Sequence, residues 1–437
     1  MKDILKKIKP SKYEIEYVSD FCNKLLKCAE EIAEPFYAYP VIVGSIAKQT
    51  WLKNDHDIDL FIIFRTKISK EKLEEYGLLI GTEICTKLGG TYHFKYAEHP
   101  YVFCEIENFN VDIVPCYEIK KGEKIISAVD RSPLHTKYVI ETLKPVQRDH
   151  VRLLKYFCKQ IGVYGADAKN NGFSGYLCEL LIICYGTFLN TLKNLSKFRF
   201  GEFIDIENIG DRKRFKDSAL VVVDPVDRYR NVAFPLSAQN LLKFKVESKK
   251  YLNSKQFPKI KKLYRKDLIQ KLENKRGTNF VGIKYKSMEE VVENIYLKMR
   301  KLERKVVRYI EEQGFKIIRP FSWTDEKNVI ILLEIERDKI TNFRKHRGPV
   351  IFSRESEHFI NRYLQNEYSI YIEDNILYSD VKRKIVRCKD ALKKFFKTEK
   401  IPKKIKNIKI LGDEEIRSIV NEDKELNNYL TKKYFEL

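Results

Sequence analysis

The sequence predicts a multidomain α+β protein in three parts, and three observations predict it. Residues 1–135 interleave short apolar strands with amphipathic helices. Residues 136–255 are mostly helical in period. Residues 256–437 alternate strands and helices on a strongly basic background. A chain of 437 residues has room for roughly two to four domains, each with its own core.

The elements follow in order. Residues 11–34 carry the apolar spacing of an amphipathic helix. YPVIVGS (39–45) reads as a strand ending in Gly44-Ser45, with IAKQTWL helical after it. HDIDLFIIF (56–64) is a second strand, polar at its start and apolar at its end, and Ser69 can cap a helix over 69–89. YHFKYAE and YVFCEIE, divided by His99-Pro100, read as a hairpin, and FNVDIVPCYEI (109–119) as a further strand. PLHTKYVIETL, DHVRLLKYFCKQIG and SGYLCELLIICYGTFLNTLKN give three successive helices, with Gly162, Gly165, Gly172 and Gly175 punctuating the loop before the third. A strand running into a turn (219–233) and a helix (237–252) close the central part. Beyond it come a strand (NFVGIKYK), a long helix over 287–314, a hairpin over 315–336, a helix over 353–366, the strands of YSIYIEDNILYSDV and a Lys-rich tail.

Composition narrows the function. Hydrophobic residues make up 43% and charged residues 33%, which excludes a disordered chain. The 83 Lys+Arg against 61 Asp+Glu leave a formal charge of +22, an excess that favours a polyanionic partner such as nucleic acid. A surface of paired ion networks would also be Lys- and Glu-rich, but would not leave so large an imbalance. Nine cysteines, an odd number with no CxxC pair, fit buried free thiols in a reducing cytoplasm rather than disulfides or zinc. The N-terminal stretch lacks the apolar core of a signal peptide. YLCELLIICYGTFL is too short for a membrane span and carries Glu179, so it reads as a buried helix.

The chemistry concentrates in Gly44-Ser45, Asp57-x-Asp59 and Asp112. Side chains two apart on a strand share a face, so Asp57 and Asp59 point the same way, roughly 7 Å apart. Asp112, in the strand VDIVP, lies beside them if the two strands pair. Converging carboxylates are costly unless a dense cation neutralises them, and oxygen-only ligands select Mg²⁺ or Mn²⁺ over zinc. Two such ions about 4 Å apart can activate an attacking hydroxyl and stabilise a leaving pyrophosphate. Gly44 lets backbone approach a phosphate, the following helix start offers free N–H groups, Ser45 adds a hydroxyl, and Lys48 one turn on adds a charge. Taken singly, a Gly-Ser pair is commonly a turn and a DxD at a strand start is commonly solvated. A lone Asp in an apolar strand is harder to dismiss, because unpaired burial costs several kcal/mol. In the order strand-GS-helix-strand-DxD-helix-strand-D, the set is a nucleotidyl-transfer layout.

That layout resembles the polymerase-β-like nucleotidyltransferase superfamily. The longer strings GSIAKQTWL, DIDLFIIF, YAEHPYV, VDIVPCY, SAVDRSPLH, VRLLKYF, GFSGYLCELLI and VVDPVDRYRNVA are similar to those of the archaeal (class I) CCA-adding enzymes, the tRNA nucleotidyltransferases. They run in family order from about residue 41 to 235. The basic C-terminal half matches more in arrangement than in motif, with RGPVIFSRESEHFINRYL the best stretch. The resemblance implies a nucleotidyltransferase palm over 1–135, a helical nucleotide-recognition neck over 136–255 and a basic α+β tRNA-binding body and tail over 256–437. It implies two Mg²⁺ ions (Mn²⁺ as a substitute) on Asp57, Asp59 and Asp112, and Gly44, Ser45 and Lys48 at the triphosphate. His135, Lys155 and Tyr164 fall where the family contacts the nucleotide, and Arg230 where it reads the base, with Asp227 and Asn231 nearby. Lys48 stands where the family usually has Arg, and Ile46 where it often has Tyr; lysine keeps the charge but loses the bidentate fork. By spacing alone, His135 would be a surface histidine, Lys155 a solvated one-face lysine, Tyr164 a loop aromatic packed on the core, and Arg230 a partner of Asp227.

The expected partners are the tRNA acceptor end and elbow, CTP and ATP, with no membrane and a homodimer left open. The rival readings are a poly(A) or oligoadenylate-type polymerase, an RNA-binding protein with a degenerate catalytic domain, and a protein-modifying nucleotidyltransferase of the toxin type.

Overall fold

The computed structural model describes every residue except 97, 120–122, 124, 217, 260–262, 290, 436 and 437, so position 97 in the expected hairpin and position 290 in the expected long helix lie outside the described residues. The chain forms two compact units, Met1–Lys261 and Lys262–Leu437.

The first unit runs α1 (Lys2–Ile8), α2 (Lys12–Ala33), β1 (Ala38–Val43), α3 (Gly44–Ala47), β2 (Asp57–Phe64), α4 (Lys70–Lys87), β3 (Thr91–Tyr96), β4 (Pro100–Ile106), β5 (Phe109–Tyr117), α5 (Arg131–Thr142), α6 (Gln147–Gln160), α7 (Gly175–Tyr185), α8 (Phe188–Lys197), β6 (Glu202–Ile204), β7 (Leu220–Asp224), β8 (Asp227–Asn231) and α9 (Ala238–Ser254). Five strands form one sheet in the order β1-β2-β5-β4-β3, with β2 and β5 parallel at its centre. Ser11 starts α2 through a reciprocal capping box with Glu14, and the Ser69 hydroxyl caps α4. One sheet face buries Ile58, Leu60, Ile62, Phe64, Val111 and Ile113 under α2 and α4; Phe61, Ile63, Val114, Cys116 and Val43 cluster on the other. A central parallel pair covered on both faces is why DIDLFIIF reads as a nearly continuous apolar run.

Three expectations fail here. IAKQTWL is not a helix beyond Ala47: Gln49 is left-handed (φ 54°), and the Gln49 and Trp51 carbonyls accept from Arg152 while that of Thr50 accepts from Lys155. Tertiary donors have taken the carbonyls that a helix would have used. The third central helix is two, because Gly186 (φ 80°) ends α7 and Thr187 caps α8, bending the pair by 94°. Residues 219–233 are not a strand and turn but a hairpin, β7 pairing with β8. Helix α5 also runs through the division expected at 135/136. Among the described residues no single helix is long and apolar enough to cross a membrane.

The second unit runs α10 (Leu268–Arg276), β9 (Asn279–Ser287), α11 (Val292–Glu312), β10 (Ile317–Thr324), β11 (Asn328–Ile335), β12 (Phe343–Val350), α12 (Glu355–Tyr363), β13 (Tyr371–Glu373), β14 (Ile376–Lys382), α13 (Cys388–Thr398), β15 (Ile405–Leu411), α14 (Asp413–Glu422) and α15 (Lys424–Phe435). Its sheets are β10-β11-β9-β15 and β12-β14-β13. The Lys-rich tail is folded: β15 pairs with β9, and α14 and α15 bury Ile416, Val420, Leu426 and Leu430. Charge density hid an apolar stripe at helical spacing.

Candidate active site

The acids meet at the start of the central strands. In the parallel pair Asp59 lies opposite Asp112 and Asp57 opposite Asn110, so all three carboxylates share one face. It is the face that carries Phe61, Ile63 and Val114 further along, so apolar packing fixes the register and hence the acids. Asp57 is exposed and accepts from Asn110 Nδ2 at 2.9 Å. Burial, then the neighbouring Asp112, pushes the Asp59 carboxyl up to about 6. Burial also raises Asp112, against the pull of Lys95, whose Nζ lies 3.5 Å from Oδ1. That oxygen is sealed from solvent and has no hydrogen bond among the described residues.

The glycine turn fits against this set. Gly44 has φ 73°, and a Cβ there would collide with the Asp59 carboxylate. Two expectations for the phosphate cradle change. The Gly44 N–H donates to Thr136 Oγ1 at 3.2 Å, and α3 has only four residues, too short for a helix dipole to matter. Lys48 is buried rather than a free arm. Its Nζ lies 2.6 Å from Glu179 Oε2, while Lys155 Nζ (3.2 Å) and Thr50 Oγ1 (2.6 Å) share Oε1. Burial raises Glu179, but the two lysines outweigh it and hold the carboxyl below its usual range; burial lowers Lys155. Lys155 is therefore not a solvated helix lysine. Gly175 opens the space where the Tyr164 hydroxyl and Lys155 meet, since a Cβ would stand 3.2 Å from one and 3.5 Å from the other. The Tyr164 ring also lies 5.3 Å from Lys159 Nζ.

A second cluster gathers on Asp224 at the end of β7. His135 Nε2 and Arg230 Nη1 each lie 2.8 Å from Oδ2, and the Tyr176 hydroxyl (3.2 Å) and Val226 N–H (3.1 Å) donate to Oδ1. His135 stacks on Tyr176, ring centroids 4.0 Å apart. Asp227, the first residue of β8, pairs instead with Arg131 (3.0 Å), so Arg230 and Asp227 are not partners. Asn231 staples the hairpin, accepting from Val222 N–H and donating to the Leu220 carbonyl. Sequence reasoning passed over Asp224, Tyr176, Arg152 and Lys95, and noted Glu179 only as a mark against a membrane span. A charge inside YLCELLII or VVVD was the available signal, because neither acid can be buried there without strong partners.

These residues fit a hard divalent cation. The donors are all oxygen, one buried oxygen lacks a hydrogen bond, and two carboxyls are pushed toward their neutral forms in the absence of positive charge. Among the described residues no three His, Cys, Asp or Glu side chains stand close enough together to hold a metal ion between them.

Comparison with known proteins agrees with the geometry. Residues 22–135 match the nucleotidyltransferase domain family, 149–261 the second domain of tRNA nucleotidyltransferase, and 276–410 the C-terminal domain of the CCA-adding enzyme. The chain is 38% identical to the CCA-adding enzyme of Methanocaldococcus jannaschii over 409 residues, 90% of this chain and 89% of that one. It is 38% identical to that of Picrophilus torridus, over 90% and 92% of the two chains. It is 37% identical to that of Methanothermobacter thermautotrophicus, over 86% and 83%. With a nucleotidyltransferase palm at its N-terminus and relatives that match along nearly all of its length, the chain belongs to the archaeal (class I) CCA-adding enzymes, which are tRNA nucleotidyltransferases.

Proposed function

We propose that the chain adds C, C and A in turn to the 3′ end of tRNA, drawing on CTP and ATP and releasing pyrophosphate without a nucleic-acid template. The observation that carries the reading is the register that sets Asp59 beside Asp112, with Asp57 on the same face. Asp57, Asp59 and Asp112 would hold two Mg²⁺ ions, with Mn²⁺ able to replace them. When bound, such ions would acidify the attacking 3′-hydroxyl and offset charge on the departing pyrophosphate.

The chain's own groups do the rest. Gly44 clears room beside Asp59, and the Ser45 hydroxyl donates to the triphosphate. Lys48 and Lys155 share the single Glu179 carboxylate and line the proposed triphosphate site. Tyr164 and His135 contact the nucleotide, and Arg230 donates to the base edge of C or A; a site built to hydrogen-bond one base edge rejects others strongly. Residues 1–135 act as palm, 136–255 as neck and 256–437 as the basic body and tail that grip tRNA by shape and phosphate contacts. Eight buried free thiols suit a reducing cytoplasm, where this reaction takes place.

The test is incubation of tRNA lacking its 3′ end with Mg²⁺ and each nucleoside triphosphate, singly and together. CTP alone should extend by two residues, and CTP with ATP should halt after C, C and A. An unbroken run of A would assign the chain to the poly(A)-type polymerases instead.

A further inference from the structure

We propose that Asp224 is a positioning residue for base selection, fixing the guanidinium of Arg230 and the ring of His135 as one preset array. The inference rests on the reading that Arg230 meets the base.

An ionised carboxylate offers about four acceptor positions and no donor. Asp224 is fully buried, and four donors from four places in the chain meet it: His135 from α5, Tyr176 from α7, Arg230 from β8, and the Val226 N–H of its own turn. Every position is filled. Burial pushes the carboxyl up, yet His135 and Arg230 bring it below the ordinary aspartate range, so the group is an anion.

The two Oδ2 partners are the ones with an open end. The Arg230 side chain is 32% exposed, and its bond to Asp224 uses one of the guanidinium's five N–H groups. Because the carboxylate can only accept, the proton between it and His135 sits on Nε2. Burial holds the imidazole toward its neutral form, which leaves Nδ1 as an acceptor. The Tyr176 ring stacked on His135 and the Tyr176 hydroxyl on Oδ1 lock the same assembly from behind. One anion therefore sets a donor, Arg230, and the tautomer of a neighbouring ring.

Asp224→Asn separates this role from mere support. A carboxamide of the same shape keeps two acceptor positions and turns the other end into a donor, facing two donors. Either the His135/Arg230 side or the Tyr176/Val226 side must then let go. Initial rates for CTP, ATP, UTP and GTP on tRNA lacking its 3′ end give kcat and KM, with thermal unfolding of the full chain alongside. The expected result is a fall in kcat/KM for CTP of about tenfold, mostly in KM, with a much smaller fall for UTP, so that the CTP/UTP ratio narrows. Tyr176→Phe keeps the ring and loosens Asp224 by one bond; it narrows the ratio by about twofold to threefold and stands in if the Asn variant does not fold. A ratio that holds in the folded variants, whatever happens to Tm, overturns the proposal. Arg230→Lys is the control on the underlying reading. If it leaves the ratio intact, Arg230 does not read the base and that reading fails. If it narrows the ratio while the Asp224 and Tyr176 variants do not, only the link through Asp224 fails.

Discussion

Two pairs of acids in the first unit, one half-buried and one fully buried, are loaded in opposite directions. Asp59 and Asp112 are raised toward their neutral forms chiefly by burial, and the one cation against Asp112, a partly exposed Lys95 at 3.5 Å, does not offset it. Glu179 and Asp224 are buried at least as deeply, yet both are held ionised by cations and hydrogen-bond donors that fill their oxygens. A carboxylate whose charge is compensated within the chain can serve as a fastener. A carboxylate whose charge is not compensated is a standing demand for a cation from outside. On the proposed reading the difference separates the groups that do chemistry from the groups that hold them in place, and it is open to attack from both sides.

The largest effect falls on the uncompensated side. Asp59→Ala should lower nucleotide addition by roughly 10³-fold or more while leaving tRNA binding in a filter or gel-shift assay nearly intact. In metal-free protein its Tm should be unchanged or higher, because a buried repulsion with Asp112 is gone. A metal-free variant that melts well below the parent would mean Asp59 is a fastener after all. Glu179→Ala should behave in the reverse sense. It strands Lys48 and Lys155 without their counter-ion, and should cost about 3–5 kcal/mol in urea unfolding. Glu179→Gln, which keeps the bonds to Thr50 and one lysine, should cost less. Equal loss from both would show that the charge, rather than the shape and the remaining hydrogen bonds, is what the site needs.

Gly44→Ala tests where the two kinds of site touch. The residue needs a positive φ and has no room for a Cβ against Asp59. A stability cost of about 1–2 kcal/mol follows from the backbone alone. Displacement of the Asp59 carboxylate should lower the addition rate by about tenfold on top of that. A variant with the stability loss but full activity would place the phosphate turn outside the chemistry.

Much of this was legible before any coordinates. Strand period gave the shared face of Asp57 and Asp59, and an acid in the apolar strand VDIVP pointed to Asp112; both are local signals, and the in-register pairing of β2 with β5 bears out the geometry. What the sequence hid depends on distant partners. Lys48 and Lys155 look like surface lysines until α7 brings Glu179 between them, 131 and 24 residues away. Arg230 sits three residues from Asp227 but pairs with Asp224, while Asp227 is taken by Arg131, more than ninety residues away. The missing helix in IAKQTWL has the same cause, since Arg152 and Lys155 supply donors about a hundred residues away. Periodicity reports which face of an element is buried, not which charge will be waiting there.

The finest test uses pH. In metal-free protein the Asp59 carboxyl titrates near 6, above the 3.8 of the unfolded chain. A raised acid favours the folded state below its unfolded value, and that contribution is lost as pH rises through about 6, when the buried group must ionise beside Asp112. A divalent cation binds the ionised form only, so it returns what ionisation removed, and protons compete with it. Mg²⁺ should therefore raise Tm by about 2–4 °C at roughly pH 8 and by almost nothing near pH 5. Asp59→Asn should respond at neither pH, while Glu179→Gln, whose acid is already compensated, should keep most of the parent's response. A Mg²⁺ shift as large at the acid end as at the alkaline end would place the cation on groups other than the crowded pair, and the contrast between the two kinds of acid would lose its meaning.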